Sequence, residues 1–359
     1  MKIRLLTALL AVAAAMPLRA QVDPERCSPQ TPNFCLNGVS NAVTALDSLR
    51  VSAVSPRGAR EEEEEKHKRA GARRILVAAS QNVAGLGEPD PWAVWASYGR
   101  SKFAGSVAIA PYSAELDTLR VGADRLFAGR YAFGISLIAE RLDTRTRYNG
   151  GGQKADGTTL APYLTVLLGD AFSLDLNAGV GRTTANQDRI DPASAPGTPL
   201  TLSASYSAKR DFASATLNGF KPVGDWTIAG RLGYLYTEED QTGFQETGGP
   251  SARNVGGRRV RLGQLFAGAD ASYRFAGSLE PNASLVFRRD TSRNDGRAGG
   301  GLPAAVGATQ PDDRSEWEWS LGVRYFGSRG TTLSAEFLKT ESRDSFRNES
   351  LDFVARFEF

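Results

Sequence analysis

The 359-residue chain has little of the chemistry that most enzymes use. It carries one histidine, His67, two cysteines, Cys27 and Cys35, and two methionines, both within the first sixteen residues. A single imidazole excludes His-cluster metal sites and leaves general acid–base catalysis without its commonest base. Two cysteines exclude a four-thiolate zinc site. Long apolar runs are also missing. Leu5 to Met16 spans twelve residues, short of the roughly twenty that a helical membrane span needs. With a mean hydropathy of −0.31, the chain is no bundle of transmembrane helices. Charge of one sign is scarce too: 43 basic residues face 40 acidic ones. What is abundant is glycine, at 38, and Tyr plus Phe, at 27 together. That composition points to β-structure.

The first twenty residues read as an export signal. Lys2 and Arg4 precede the apolar run, and Pro17 with Leu18-Arg19-Ala20 forms a small-residue cleavage site. Cutting after Ala20 removes Lys2, Arg4 and Arg19 and no acid, leaving 40 basic against 40 acidic residues. The mature chain is neutral, so its basic pI gives no reason to expect a nucleic-acid partner. Export places Cys27 and Cys35 in an oxidising compartment and predicts a disulfide between them. A loop so short contributes roughly 2–3 kcal/mol by chain-entropy arithmetic.

Residues 21–90 form a short N-terminal segment with little core of its own. Val43, Leu46 and Leu49 give Ser40 to Val51 a brief amphipathic character. Between 59 and 74, Glu62/Lys66, Glu64/Lys68 and Glu65/Arg69 sit at i,i+4 in the favourable order, which suits a charged, solvated helix. His67 lies inside this run. Gly85, Gly87 and Pro89 then break the chain before a new pattern begins.

From Pro91 to Phe359 the period is two. Phe172, Leu174, Leu176, Ala178 and Val180 alternate with Ser173, Asp175, Asn177 and Gly179. Trp317 to Tyr325 and Leu351 to Phe359 repeat the pattern. A strand puts such residues on one face, whereas a helix scatters them around its axis. Similar runs lie near 92–103, 117–127, 131–142, 158–168, 201–219, 225–237, 260–275, 279–290 and 331–340. That makes twelve strands, with 201–219 open to reading as one strand or two. Connections after the even strands are tight (128–130, 169–171, 222–225, 276–278, 326–330). Those after odd strands are mostly long and polar, such as 143–157, 183–199, 238–259 and 291–314. Short turns at one end and long loops at the other predict a 12-stranded antiparallel transmembrane β-barrel, closed because lipid tolerates no open sheet edge.

On this reading the faces opposite the apolar ones line the lumen. They carry Arg120, Asp124, Glu140, Asp175, Arg231, Asp270, Arg274, Arg288, Glu316, Glu318, Arg324, Glu336, Arg356 and Glu358. Trp92, Tyr131, Phe172, Trp226, Tyr325 and Phe326 fall near strand ends, where an interfacial girdle sits.

Residues 91–359 resemble the autotransporter β-domain, the translocator barrel of type V secretion. The resemblance rests on Trp95-Ala96-Ser97-Tyr98-Gly99, Leu119 to Asp124, Tyr131 to Leu137, Leu160-Ala161-Pro162-Tyr163, and Leu174 to Gly181. It ends on the aromatic pattern of Phe353, Phe357 and Phe359. It implies a monomeric outer-membrane barrel that meets membrane lipid, periplasmic chaperones and the barrel-assembly machinery, which reads the terminal aromatics. It also implies an N-terminal passenger carried outward, with a linker threading the pore. Here the passenger region is only 21–90, without repeats and without the Asn-Asn junction at which some members cleave themselves.

The expected function is an outer-membrane translocator that displays its short N-terminal segment in a Gram-negative bacterium. Two alternatives remain at the level of sequence: a small-solute pore gated by 59–74, and a surface-interaction barrel whose extracellular loops hold a ligand. No cofactor, metal or catalytic residue is expected. Glu316 and Glu318 read as lumen charges balanced by Arg324.

Overall fold

A computed structural model describes residues 92–107, 110–128, 130–147, 149–169, 171–275, 278–294, 314–327, 330–342 and 346–359. The signal peptide 1–20 and the segment 21–90, with Cys27, Cys35 and the charged stretch 59–74, lie outside the described residues.

Among the described residues fourteen strands run in chain order: β1 (Trp92–Val107), β2 (Ala110–Phe127), β3 (Tyr131–Thr146), β4 (Gly151–Leu167), β5 (Phe172–Ile190), β6 (Thr201–Val223), β7 (Trp226–Gln241), β8 (Phe244–Gln245), β9 (Asn254–Val255), β10 (Arg258–Tyr273), β11 (Leu279–Asn294), β12 (Ser315–Phe326), β13 (Thr332–Glu341) and β14 (Phe346–Glu358). Twelve of them form a closed antiparallel meander in which each pairs with its chain neighbour. β1 pairs with β14 from Ala93↔Glu358 to Gly105↔Phe346 and closes the ring. The remaining two, β8 and β9, make a small hairpin in the connection from β7 to β10. Closure gives every barrel strand a partner on both sides, which alone makes a sheet tolerable in lipid.

The alternation in sequence sorts side chains to two faces. On β3, odd positions from Tyr131 are exposed and even ones from Ala132 are buried without interruption. Each barrel strand sets at least one large apolar residue on the outside, among them Val94, Leu119, Phe133, Leu160, Leu232 and Leu321. An apolar belt encircling a whole molecule far exceeds the patches a water-soluble monomer presents. It is the surface that lipid covers.

Strand lengths depart from the sequence reading at one end. The stretch 143–157 is not a loop: β3 and β4 run through most of it, pairing Asp143↔Lys154 and Thr146↔Gly151. Likewise β5 continues to Ile190, and β6 is one strand of 23 residues. The 238–259 connection shrinks to the hairpin between Gln241 and Arg258. In all three places the wall rises past the roughly 9–11 residues that cross a bilayer. The outward face there is polar and the inner face mixes polar with apolar residues, so period two in hydropathy fades while the ladder persists.

The opposite end has the tight connections expected. β6 and β7 are joined by Gly224 and Asp225 alone. Gly224 takes φ 62°, the left-handed conformation that two-residue hairpins demand and glycine adopts without steric cost. Trp92 and Phe359 meet at this short-turn end, where each backbone N–H donates to the other's carbonyl at 3.0 Å.

Candidate functional site

The inner wall is the place where charged chemistry concentrates. Near the short-turn end Arg356 of β14 grips Asp124 of β2 with two bonds of 3.0 and 2.9 Å. These strands are not neighbours, since β1 runs between them. The pair reaches over β1 above Ala93, which lies opposite both Asp124 and Glu358. Tyr163 of β4 donates to Asp124 at 2.8 Å, and the Trp95 indole donates to Tyr163 at 2.9 Å. One turn of the wall higher, Arg120 of β2 lies 3.8 Å from Asp352 of β14, again across β1. Gly99 makes that reach possible, because a Cβ there would collide with the Asp352 carboxylate. Two ionic braces therefore span the closing seam.

Farther along, a bond reaches past β4 and β5 from β6 to β3. Arg210 of β6 holds Glu239 of β7 at 3.0 and 2.9 Å and Glu140 of β3 by a second short bond. Gln241 donates to Glu239 at 2.8 Å, and Arg258 donates to Gln241 at 2.8 Å. Elsewhere on the inner face Arg288 pairs with Glu318 at 3.1 and 2.9 Å, Arg231 with Asp270, and Arg324 with Glu280 at 2.8 Å. Taking one partner from a buried pair leaves an uncompensated charge and costs about 3–5 kcal/mol. These contacts hold the interior to one arrangement.

Aromatic rings fill the space left by glycines. Trp95, Tyr163, Phe212 and Phe266 stand directly opposite Gly122, Gly134, Gly179 and Gly233 on adjacent strands. A Cβ built on Gly134 would fall inside the Tyr163 ring, and one on Gly179 inside that of Phe212. The glycines let inward rings lie flat along the wall, so the lumen keeps room for its charged pairs.

The structure places the residues singled out from sequence as follows. Arg120, Asp124, Glu140, Asp175, Arg288, Glu316, Glu318 and Arg356 are buried inside, while Arg231, Asp270, Arg274, Arg324, Glu336 and Glu358 are half-buried on the same face. Asp175 is met by neutral donors, Thr165 at 2.7 Å and Asn218 at 2.8 Å. Glu358 accepts from Arg356 at 3.0 Å, and Glu336 of β13 stands opposite Asp352 of β14. The sequence missed Arg189, Arg210, Glu239, Glu246 and Glu280. Arg189, Glu239 and Glu246 lie in stretches taken for loops. Arg210 continues the even-numbered buried face that Tyr206, Phe212 and Thr216 define, and that phase was the available signal.

The outer wall differs between its ends. Trp92, Tyr131, Phe172, Trp226 and Tyr325 face outward at the short-turn end as a girdle requires. Phe326 does not: it is buried on the inner face, one residue out of phase with Tyr325. Phe353, Phe357 and Phe359 are exposed, with the first two on the lipid-facing side of β14. At the other end the outward residues turn ionic. Arg100, Asp117, Arg141 and Asp156 stand opposite one another across four strands with alternating sign. Arg141 bonds Asp156 at 3.0 Å and Arg261 bonds Glu238 at 2.7 Å. On β3, nine residues from Tyr131 to Ala139 precede the first such charge, about the length that spans a bilayer.

Comparison with known proteins agrees with this geometry. The Autotransporter beta-domain family model matches residues 94–337. The translocator domain of the autotransporter NalP from Neisseria meningitidis superposes with a TM-score of 0.63 at 15% identity, covering 89% of this chain and 98% of that one. The β-domain of the Bordetella autotransporter BrkA gives 0.58 at 18% identity, covering 75% of this chain and 100% of its own. At such identities the likeness is one of fold. No curated protein sequence matches the chain.

Proposed function

From the premise that this chain belongs to the autotransporter β-domain family, we propose that its barrel carries residues 21–90 through or into the pore and presents them at the long-loop end. The barrel is an outer-membrane translocator of a Gram-negative bacterium, and its family is one of secretion barrels rather than of enzymes. The observation that carries the proposal is the placing of Trp92. It begins the first strand at the short-turn end, so the preceding segment starts from the periplasmic mouth and has the lumen as its direct route outward. Short turns lie on the periplasmic side of outer-membrane barrels.

The inner charges fit that role. Arg120, Arg231, Arg288, Arg324 and Arg356 each face an acid within the wall, so a passing peptide of mixed charge meets these cations already paired. The charged stretch 59–74 is the part we assign to the pore, and Cys27–Cys35 is a disulfide that fixes the leading loop. Phe353, Phe357 and Phe359 are the residues we assign to recognition by the barrel-assembly machinery, with chaperones escorting the unfolded chain. The test is an epitope placed near Asp23 on intact cells. Protease added outside is expected to remove it, and an epitope shielded until the outer membrane is broken would overturn display.

A further inference from the structure

The connection from β7 to β10, Thr242–Gly257, does not project from the barrel. It folds into the long-loop mouth. Phe244 and Val255 are buried among the inward-facing Phe103, Tyr112, Leu116 and Tyr206 in a single apolar cluster. The Phe244 ring stacks on Tyr206 with centroids 5.3 Å apart. β6 outruns β7 here: its pairing with β7 starts only at Ala208↔Gln241, which leaves the edge from Thr201 to Ser207 without a strand. The hairpin covers that edge, with Ser203 and Thr247 exchanging two backbone bonds of 2.9 Å.

Its polar anchor is a buried ion pair. Arg189, on the inner face of β5, donates to the Glu246 carboxylate at 2.7 and 2.6 Å, and both side chains are about 2% exposed. Arg189 also donates to the Ser251 carbonyl at 3.3 Å, while Asp191 accepts the Ser251 N–H at 3.1 Å. Glycine stands at both feet of the hairpin, Gly243 on one side and Gly256-Gly257 on the other. Elements that swing as a unit commonly turn on small residues at their ends.

We propose that Thr242–Gly257 is a lid latched shut by the Arg189–Glu246 pair, and that releasing this latch opens the long-loop mouth to solutes. The lid rests on the barrel's own contacts and stands or falls apart from the passage of residues 21–90. Opening breaks the two backbone bonds between Ser203 of β6 and Thr247 but leaves β7 and β10 paired from Gln241↔Arg258 onward.

The test uses the full chain with Cys27 and Cys35 replaced by serine and a reporter, Ala185→Cys, in the apolar cluster beneath the lid. A membrane-impermeant maleimide is applied from outside. Glu246→Gln is expected to raise the labelling rate about tenfold or more, equivalent to loss of ~1.4 kcal/mol from the closed state. The double variant Arg189→Leu/Glu246→Leu, which replaces the ions by an apolar pair, is expected to keep the reporter protected. Heat-modifiable migration reports barrel integrity. Should Glu246→Gln fail to assemble, excising 244–255 removes the lid and leaves both flanking strands whole. Unchanged labelling in an assembled Glu246→Gln or excision variant would overturn the proposal.

Discussion

On β3 the outward Phe133, Ile135 and Leu137 stand exposed at the barrel surface, where any apolar side chain of similar size suits lipid. One residue away, the inward Gly134 and Glu140 each meet a particular partner, the Tyr163 ring and the Arg210 guanidinium. The same strand thus carries two grammars. The outer wall specifies polarity; the inner wall specifies partners. A pore protein needs that division, because lipid is a uniform solvent and a lumen of about a dozen strands must fit its own contents.

The largest break in this contrast is expected from Arg356→Ala. It strands Asp124 in the interior and should cost about 3–5 kcal/mol, read as a lower urea midpoint for unfolding from lipid vesicles. Replacing both partners by apolar residues is expected to recover much of that loss. An outer substitution rivals it only by violating polarity. Leu137→Arg should cost about 2–4 kcal/mol if that position lies near the bilayer midplane and less toward either interface; the measured value therefore dates the depth of the belt. Gly134→Ala comes next at about 1–3 kcal/mol, from overpacking against Tyr163. The same change in a Tyr163→Leu background is expected to be nearly neutral, and equal losses in both backgrounds would show that the ring is not the obstacle.

Legibility in the sequence followed the same division. β5, β12 and β14 were plain because apolar residues repeat at every second position against polar ones, and that signal states which face meets lipid. The strands at the long-loop end lost it. Arg141, Asp143 and Arg145 face out while Thr144 and Thr146 face in, so 143–157 looked like a polar loop although every residue from Thr146 back to Tyr131 is paired. Phe326 was misplaced for a related reason: beside Tyr325, two aromatics in succession cannot both face lipid, and hydropathy does not say which one does. Partners on the inner wall were beyond reach. Period two assigns Glu140 to the interior and offers the phase that would add Arg210, but their meeting depends on the stagger of strands around the ring, which only closure sets.

The braces across β1 also bear on when the barrel becomes a barrel. Arg356 and Asp124 lie 232 positions apart in the chain, and pairings of such separation form late because their loop-closure entropy must be met first. A chain lacking Arg356 keeps one brace from β14 to β2, Asp352 to Arg120, in place of two. Until β1 and β14 pair, both present open edges, which invite aggregation or proteolysis. The seam thereby ties completion of the ring to one place: residues near the end of β14 lock it to β1 and to β2 beyond.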